Sequence, residues 1–512
     1  MFMEELSLIR KLYRSYLSRY KWARWLKKIY LYIFFNYLHL RNVIIWQTHG
    51  CNSFVKRYVL RLFSPNSQFF IMRTFKEFYL TTRTKTKSLP DKLVSTNVYR
   101  GTSQLFIMRI FKENGLTVWT KTKAKTKALP NKLVSTSVFR GVPKIKFHQL
   151  IPARDFSVKT PVVCPEHYAN HLYSGTWNTS FPAVEAMELA NAQVMGKSDL
   201  IYFGQNCLHH ALYDFDRDFL FEEMHGLVSI NPSKRLLRVG DSEVKRTIPA
   251  GISLLGCATA NYIHWLTETF PKLALLENLE GYKDFPLIMD ADLHPNILES
   301  IRLLNTDKRE LISLKRGEIM SVERLISISP VAYIPFDFRP GLELKKGDIT
   351  PDYALYSPDG LRAVRHKLTE LSQSTEGTSK KKLFLRRTGT SRQMSNAAEV
   401  EELLLELGFE IVEPETLTLQ EQVCLFSKAE LIVGAGGAAL GNIVFAPEGC
   451  HVVVLSTWSP YTIHYYFSNL ASILGLRCTL LLCEQANSEH DSHRAHMGQN
   501  VPIKSLMRAI QI

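Results

Sequence analysis

Three groups of residues in this chain could do chemistry together. In NYIHWLTETF (Asn261–Phe270), His264 and Glu268 stand four apart, so on a helix they share one face. Either group, tuned by burial, could take a proton from a hydroxyl near working pH. After the apolar run Leu383-Phe384-Leu385 come Arg386, Arg387 and, further on, Arg392, guanidinium groups suited to a diphosphate. Leu431-Ile432-Val433 breaks into the small-residue turn Gly434 to Gly437, then into Ala438-Ala439-Leu440. That pattern is a buried parallel strand handing over to a helix across bare backbone. Such a turn lets a ligand approach the peptide N–H groups, and the helix start behind it favours an anion. Each group also has a plainer reading. The His264–Glu268 pair could only orient its helix, the arginines could be a solvated basic turn, and the glycines could serve close helix packing.

The elements that must position these residues alternate. Short strands are expected at Leu189–Val194, Asp199–Phe203 and Leu236–Val239, as a small β-rich opening region. Gly251–Gly256 then leads into a helix with Ile263, Leu266, Phe270, Leu273 and Leu276 at helical spacing, kinked or restarted at Pro271. Strands at Phe285–Met289, Leu311–Leu314 and Leu325–Ile328 alternate with helical stretches at Ile297–Leu304 and Leu361–Leu371. Ser372–Lys381 is polar throughout and reads as a hinge. Beyond it, strands at Leu383–Leu385, Glu410–Val412, Leu431–Val433, His451–Leu455 and Arg477–Leu482 enclose further helices. One helix starts at Asn396 with Glu399 as its capping partner, one runs from Thr418 with Glu421 to Ala429, and one lies near Tyr461–Leu474. Repeated strand–helix–strand units imply parallel sheets with right-handed crossovers. The expected fold class is therefore α/β, with two Rossmann-like lobes, 181–375 and 376–490, facing a cleft. Ligands in such sheets sit beyond the carboxyl ends of the strands. Residues 142–180 read as a Pro-containing linker and 491–512 as a C-terminal tail.

Charge separates the remainder. Of 512 residues, with net charge +15, the first 150 hold 29 Lys+Arg against 5 Asp+Glu, and the rest hold 34 against 43. The basic character belongs to an N-terminal extension, 1–141, and the larger part gives no electrostatic case for nucleic acid. Residues 1–60 interleave Lys and Arg with Tyr, Trp and Leu, as a helix lying on an anionic membrane surface would, or one packed on the body with a solvated side. A tandem repeat follows, 67–101 and 103–141, each copy ending in LPxKLVST, a turn and a β-like run. The eight cysteines form no CxxC pair, which favours buried free thiols in a reducing compartment over disulfides or zinc. The start carries early acids and no unbroken apolar core, so it does not read as a secretory signal. Ile29–Trp46 is interrupted by polar residues and falls short of the roughly 20 apolar residues of a membrane span.

The motifs carry a family resemblance. NYIHWLTETFPKL resembles the NYxHWxxE helix of glycosyltransferase family 61, the DUF563 proteins. The run LFLRRTGTSRQMSNAAEVEELLLELGFEIVEPETLTLQEQVCLFSKAELIVGAGGAALGNIVFAPEG is similar to that family's C-terminal lobe, and the likeness covers roughly residues 185–512. The resemblance implies a GT-B architecture and inverting transfer of a hexosyl or pentosyl unit from a nucleotide-sugar to a glycan or other hydroxyl acceptor, as in capsule or surface-polysaccharide synthesis. It implies His264, or Glu268, as base. It implies donor contacts from Arg386, Arg392, Asn396, Gly434, Gly436, Gly437, Leu440 and Asn442, with Asn261 and Trp265 structural or on the acceptor side. No metal ligands are expected, and metal dependence stays open. The expected location is cytoplasmic, peripheral on the inner membrane face. The chain departs from the pattern at Gly436, where the family has His, at Ala397, where it has Glu, and among Val453–Leu455, where it often has an acid. Those departures keep a second expectation open, a catalytically degenerate relative that binds a glycan or a partner.

Overall fold

The computed structural model describes residues 131–140, 142, 145–209, 212–239, 243–335, 337–339, 342–345, 347–372, 380–387, 392–460, 462–486 and 498–512, all within one compact unit, Lys125–Ile512. The expected membrane-surface helix of 1–60 and the first copy of the repeat lie outside the described residues, as does most of the expected hinge, 373–379.

Two large sheets dominate. The first has eleven strands. Its spatial order is Val228–Asn231, Leu236–Val239, Asn131–Ser135, Asn206–His209, Ile201–Phe203, Val184–Met195, Ile319–Ile328, Val244–Ser253, Leu287–Asp290 and Leu311–Leu314, with Lys146–Ile151 also paired to Val184–Met195. One end, from Ile319–Ile328 through Leu311–Leu314, is parallel. The remainder is mostly antiparallel, hinged on the twelve-residue strand Val184–Met195. The β-rich opening region and the alternating strand–helix unit expected within 181–375 thus share one sheet. The β-rich opening region is not a separate layer, because Val184–Met195 is long enough to pair on both sides and carry the antiparallel strands into the same sheet.

Three boundaries expected from composition also move. Asn131–Ser135, counted with the basic extension, pairs with Asn206–His209 and Leu236–Val239 inside the first sheet. The expected linker 142–180 holds four strands, of which Val162–Cys164 pairs in parallel with Arg477–Gln485 in the other sheet. The expected tail carries the helix Ile503–Gln511, which docks by burying Leu506 and Ala509. In each case apolar residues at strand or helix spacing found a partner distant in sequence.

The second sheet has seven strands. Its parallel part runs Phe409–Val412, Lys381–Leu385, Ala429–Ala435, His451–Thr457, Arg477–Gln485. Numbered along the chain, that is the order 2-1-3-4-5 of a doubly wound sheet. Leu383, Phe384, Ile432, Val433, Val452 and Val453 are completely buried, which is why these strands read as unbroken apolar runs. The chain order reverses between Lys381–Leu385 and Ala429–Ala435, where Leu385 lies opposite Gly434. A crevice opens at such a reversal, beyond the carboxyl ends of the two strands. Arg386-Arg387 and Gly436-Gly437 are the residues that follow those ends.

No helix among the described residues is long and apolar enough to cross a membrane. All seven described cysteines are free thiols.

Candidate active site

Asn261 starts the His264 helix by accepting from Ile263 N at 3.3 Å. Tyr262–His264 is α-helical, but Trp265–Thr269 widens into a π turn before a new helix, Phe270–Ala274. Pro271 explains the widening: it has no N–H for the carbonyl four residues back and its ring crowds that carbonyl. π turns occur often at functional sites. Trp265, Leu266 and Phe270 on this segment are fully buried, and Trp265 Nε1 donates to Ser300 Oγ at 2.8 Å. Trp265 is therefore a core anchor rather than an acceptor contact.

The opposite side of the segment presents His264 and Glu268 to a small cleft of about 30 Å³, also lined by Asp199, Gly256–Thr259, Lys272 and Tyr333. His264 Nδ1 and a Glu268 carboxylate oxygen are in direct hydrogen-bond contact. Burial alone would lower the imidazole pKa; the Glu268 charge and hydrogen bond, with a smaller push from Asp199, raise it above the usual histidine value. With Nδ1 held by the carboxylate, Nε2 is the nitrogen available to a substrate proton, the arrangement of a base oriented by a neighbour.

The cleft wall Gly256–Thr259 is fixed from beneath. Asp290, buried at the end of Leu287–Asp290, accepts from Lys197 N at 2.6 Å, from Gly256 N at 3.2 Å and from the Thr259 hydroxyl. Burial keeps its pKa above the ordinary carboxylate range, with those donors opposing. Asp199, Glu222 and Cys257 stand together here, their ligand-type atoms within 4.8 Å of one another. Glu222 accepts from Ser198 Oγ at 3.2 Å and Asp199 N at 3.1 Å, and Asp199 accepts from Cys257 N at 3.1 Å. Burial and then the Asp199 charge push Glu222 up to about 7.

At the second sheet the structure sorts the arginines. Arg386 is turned away from the crevice, its guanidinium bonded to Glu401 at 2.8 and 2.6 Å and to Glu413 at 3.0 Å. Where a donor contact was expected, two carboxylates take its fork. Arg387 takes the other direction, as adjacent residues at a strand end do. A Cβ placed on Gly437 would lie 2.6 Å from Arg387 Nη1 and 3.3 Å from Arg392 Nη1. Arg392 Nη1 also donates to the Gly436 carbonyl, and Arg392 sits at φ +55°, a left-handed conformation that costs energy outside glycine. Burial, then the charge of Arg387, bring Arg392 down to about 10; burial lowers Arg387 as well, against Glu415. Two guanidinium groups are thus brought together on a glycine turn.

Other expected contacts go elsewhere. Asn396 brackets the C-terminal segment, with Nδ2 donating to Val501 O and Oδ1 accepting from Val501 N, both at 2.9 Å. It makes no side-chain cap bond, although Nδ2 also reaches Glu399 at 3.2 Å. The capping box expected at Thr418 and Glu421 is present. Ala438–Phe445 is a 3-10 segment rather than the expected α-helix. Close packing sets that geometry: a Cβ on Gly441 would lie 3.1 Å from Ile263 Cβ. Leu440 is core, and Asn442 is fully buried, accepting from Tyr262 OH at 3.2 Å and donating to Ala439 O at 3.1 Å. Neither residue reaches the crevice as a donor contact. Gly434 lies against Leu385, 3.1 Å from a would-be Cβ to Leu385 Cβ, and serves packing.

These packing contacts nonetheless join the motifs. The segment after the glycine turn lies directly on the His264 helix through Tyr262–Asn442 and Ile263–Gly441. A second bridge is aromatic: the His264 ring is 6.2 Å from Tyr466, Tyr466 is 4.9 Å from Phe467, and Phe467 Cε2 is 3.5 Å from a Cβ built on Gly436. Tyr466 and Phe467 had no signal in the sequence beyond helical spacing.

No curated protein matches the sequence. Residues 262–453, the span that runs from the His264 helix through the arginines and the glycine turn to the next strand of the second sheet, match the family model for Glycosyltransferase 61.

Proposed function

We propose that this protein is a glycosyltransferase that moves a sugar from a nucleotide-sugar donor to a glycan or other hydroxyl acceptor with inversion. The match over 262–453 supports the transferase class. The observation that carries the donor side is the pair Arg387 and Arg392 crowded onto Gly437 at the strand-order reversal of the second sheet. In this reading the two guanidinium groups and the turn take the diphosphate and neutralise it as it leaves. His264 Nε2 takes the proton of the attacking hydroxyl while Glu268 steadies the imidazolium that forms. Attack from the face opposite the leaving diphosphate accounts for inversion. The two sheets would act as the two lobes of a GT-B arrangement, near 181–375 and 376–490.

Surface-polysaccharide synthesis on the inner face of a membrane, with 1–60 as peripheral anchor, completes the proposal. The Gly436 and Val453–Leu455 departures bear on the donor, since they remove side chains that would otherwise contact phosphate or ribose. The arginine pair supports an active site with altered donor recognition over a degenerate one.

The experiment is a thermal-shift screen of UDP-, GDP-, CMP- and dTDP-sugars on the full chain, followed by donor hydrolysis. A donor that raises the melting temperature, with the rise lost in Arg387→Ala and Arg392→Ala and hydrolysis lost in His264→Ala, is expected. No shift and no turnover with any donor contradicts the proposal.

A further inference from the structure

Tyr333 belongs to two clefts. One holds His264 and Glu268; the other is larger, about 330 Å³, and open to solvent, with Arg217, Asp348, Thr350, Asp352 and Tyr353 as its remaining walls. That volume is at the lower end of small-molecule sites.

The walls are held in place. The Tyr333 hydroxyl bonds to buried Asp218. The Arg217 guanidinium lies over the Tyr353 ring at 5.4 Å, and its Nη2 donates to the Asp348 carbonyl at 3.3 Å. Asp352 accepts from Trp177 Nε1 at 3.0 Å and from the Thr179 hydroxyl at 2.6 Å. Asp348 accepts from Lys345 N at 2.7 Å. Arg217 Nε in this wall, and Asp218 Oδ1 behind Tyr333, are buried with no hydrogen-bond partner among the described residues, a polar excess that a closed interior rarely keeps.

The charge of the cleft selects its occupant. Two carboxylates face one guanidinium, and that guanidinium is already stacked on a tyrosine. A diphosphate would meet net repulsion here. A neutral polyhydroxylated ring fits: its hydroxyls donate to carboxylate oxygens and its C–H faces lie on aromatic walls. We infer that the cleft is a subsite for an uncharged sugar unit of the acceptor, adjoining through Tyr333 the unit whose hydroxyl meets His264. This rests on the transferase reading. It adds that the acceptor is a neutral oligosaccharide and that more than its reacting unit is bound.

The test binds the full chain to an array of neutral oligosaccharides and, in parallel, titrates it with UDP, GDP, CMP and dTDP. Asp348→Asn keeps an oxygen for the Lys345 N–H but removes the charge, and Tyr353→Ala removes an aromatic wall; thermal melting checks that both fold. The expected result is that the wild type retains neutral oligosaccharides, that each variant loses at least about tenfold in that affinity, and that nucleotide affinity is unchanged. Glycan binding by the wild type that is undiminished in a folded Asp348→Asn chain, or no retention of any neutral oligosaccharide, overturns the inference. Glycan binding that follows these variants while no nucleotide binds would leave the subsite standing and remove the donor reading instead.

Discussion

Replacing Gly437 with alanine separates a site from a scaffold. The new methyl would lie 2.6 Å from Arg387 Nη1, closer than Cβ atoms come to any heavy atom, and 3.3 Å from Arg392 Nη1. Its nearest neighbour is the end of a flexible side chain, so Arg387 withdraws and the backbone stays. The Gly437 φ of 169° is extended backbone that alanine also adopts, so no strain is added. The fold should therefore change by less than about 1 kcal/mol. Binding is another matter. If Arg387 makes a charge-assisted bond to a donor phosphate, displacing it forfeits about 1.5–3 kcal/mol, which is about tenfold to hundredfold in Kd. Calorimetric titration with the nucleotide found by the thermal-shift screen measures the loss directly. Gly434→Ala is the control. Its methyl would meet Leu385 Cβ at 3.1 Å and Cγ at 3.3 Å, in a core residue that cannot withdraw, so it should cost about 1–3 kcal/mol of stability. The affinity of the chains that remain folded should hold. A Gly437→Ala protein with wild-type melting and wild-type nucleotide affinity would refute the placement of the diphosphate at Arg387.

Three further outcomes follow from the same contacts. Arg386→Gln should lower the melting temperature by releasing Glu401 and Glu413 while leaving nucleotide affinity within about twofold, whereas Arg392→Ala should weaken it at least tenfold, a contrast read by titration. Glu268→Gln should lower the His264 pKa, moving the acid limb of kcat/KM to lower pH. Because Glu268 raises that pKa in the folded state, its stabilising effect is complete below the unfolded histidine value near pH 6.5 and fades as pH rises through the folded value; denaturant unfolding should show the mutant's deficit at acid pH and its disappearance at alkaline pH. Asn396→Ala should cost about 1–2 kcal/mol by unpinning Val501, with hydrogen exchange rising in Ile503–Gln511 and no change in nucleotide affinity.

Much of the second sheet was legible because buried parallel strands advertise themselves. Leu383–Leu385 and Leu431–Val433 are apolar on both faces, and glycine and capping residues punctuate what lies between them. The stretch 142–180 was not legible because its partners are remote. Val162–Cys164 pairs more than three hundred residues downstream, and nothing local records that. The directions of the arginines were not legible for a related reason. Two consecutive residues at a strand end point opposite ways, and only the positions of Glu401 and Glu413 decide that Arg386 is the one turned aside. Asn396, Leu440 and Asn442 carried the family spacing but serve packing, a distinction that spacing alone does not make. His264 and Glu268 meet, as their four-residue spacing suggested, because the i, i+4 contact survives a π turn.

The most direct measurement is a crystal structure of the full chain with the nucleoside diphosphate that binds it. The account predicts phosphate oxygens between the guanidinium groups of Arg387 and Arg392 and the backbone of Gly436-Gly437, on the same side as the Tyr466–Phe467 bridge to His264. A diphosphate bound anywhere else, or held by Arg386, would contradict it.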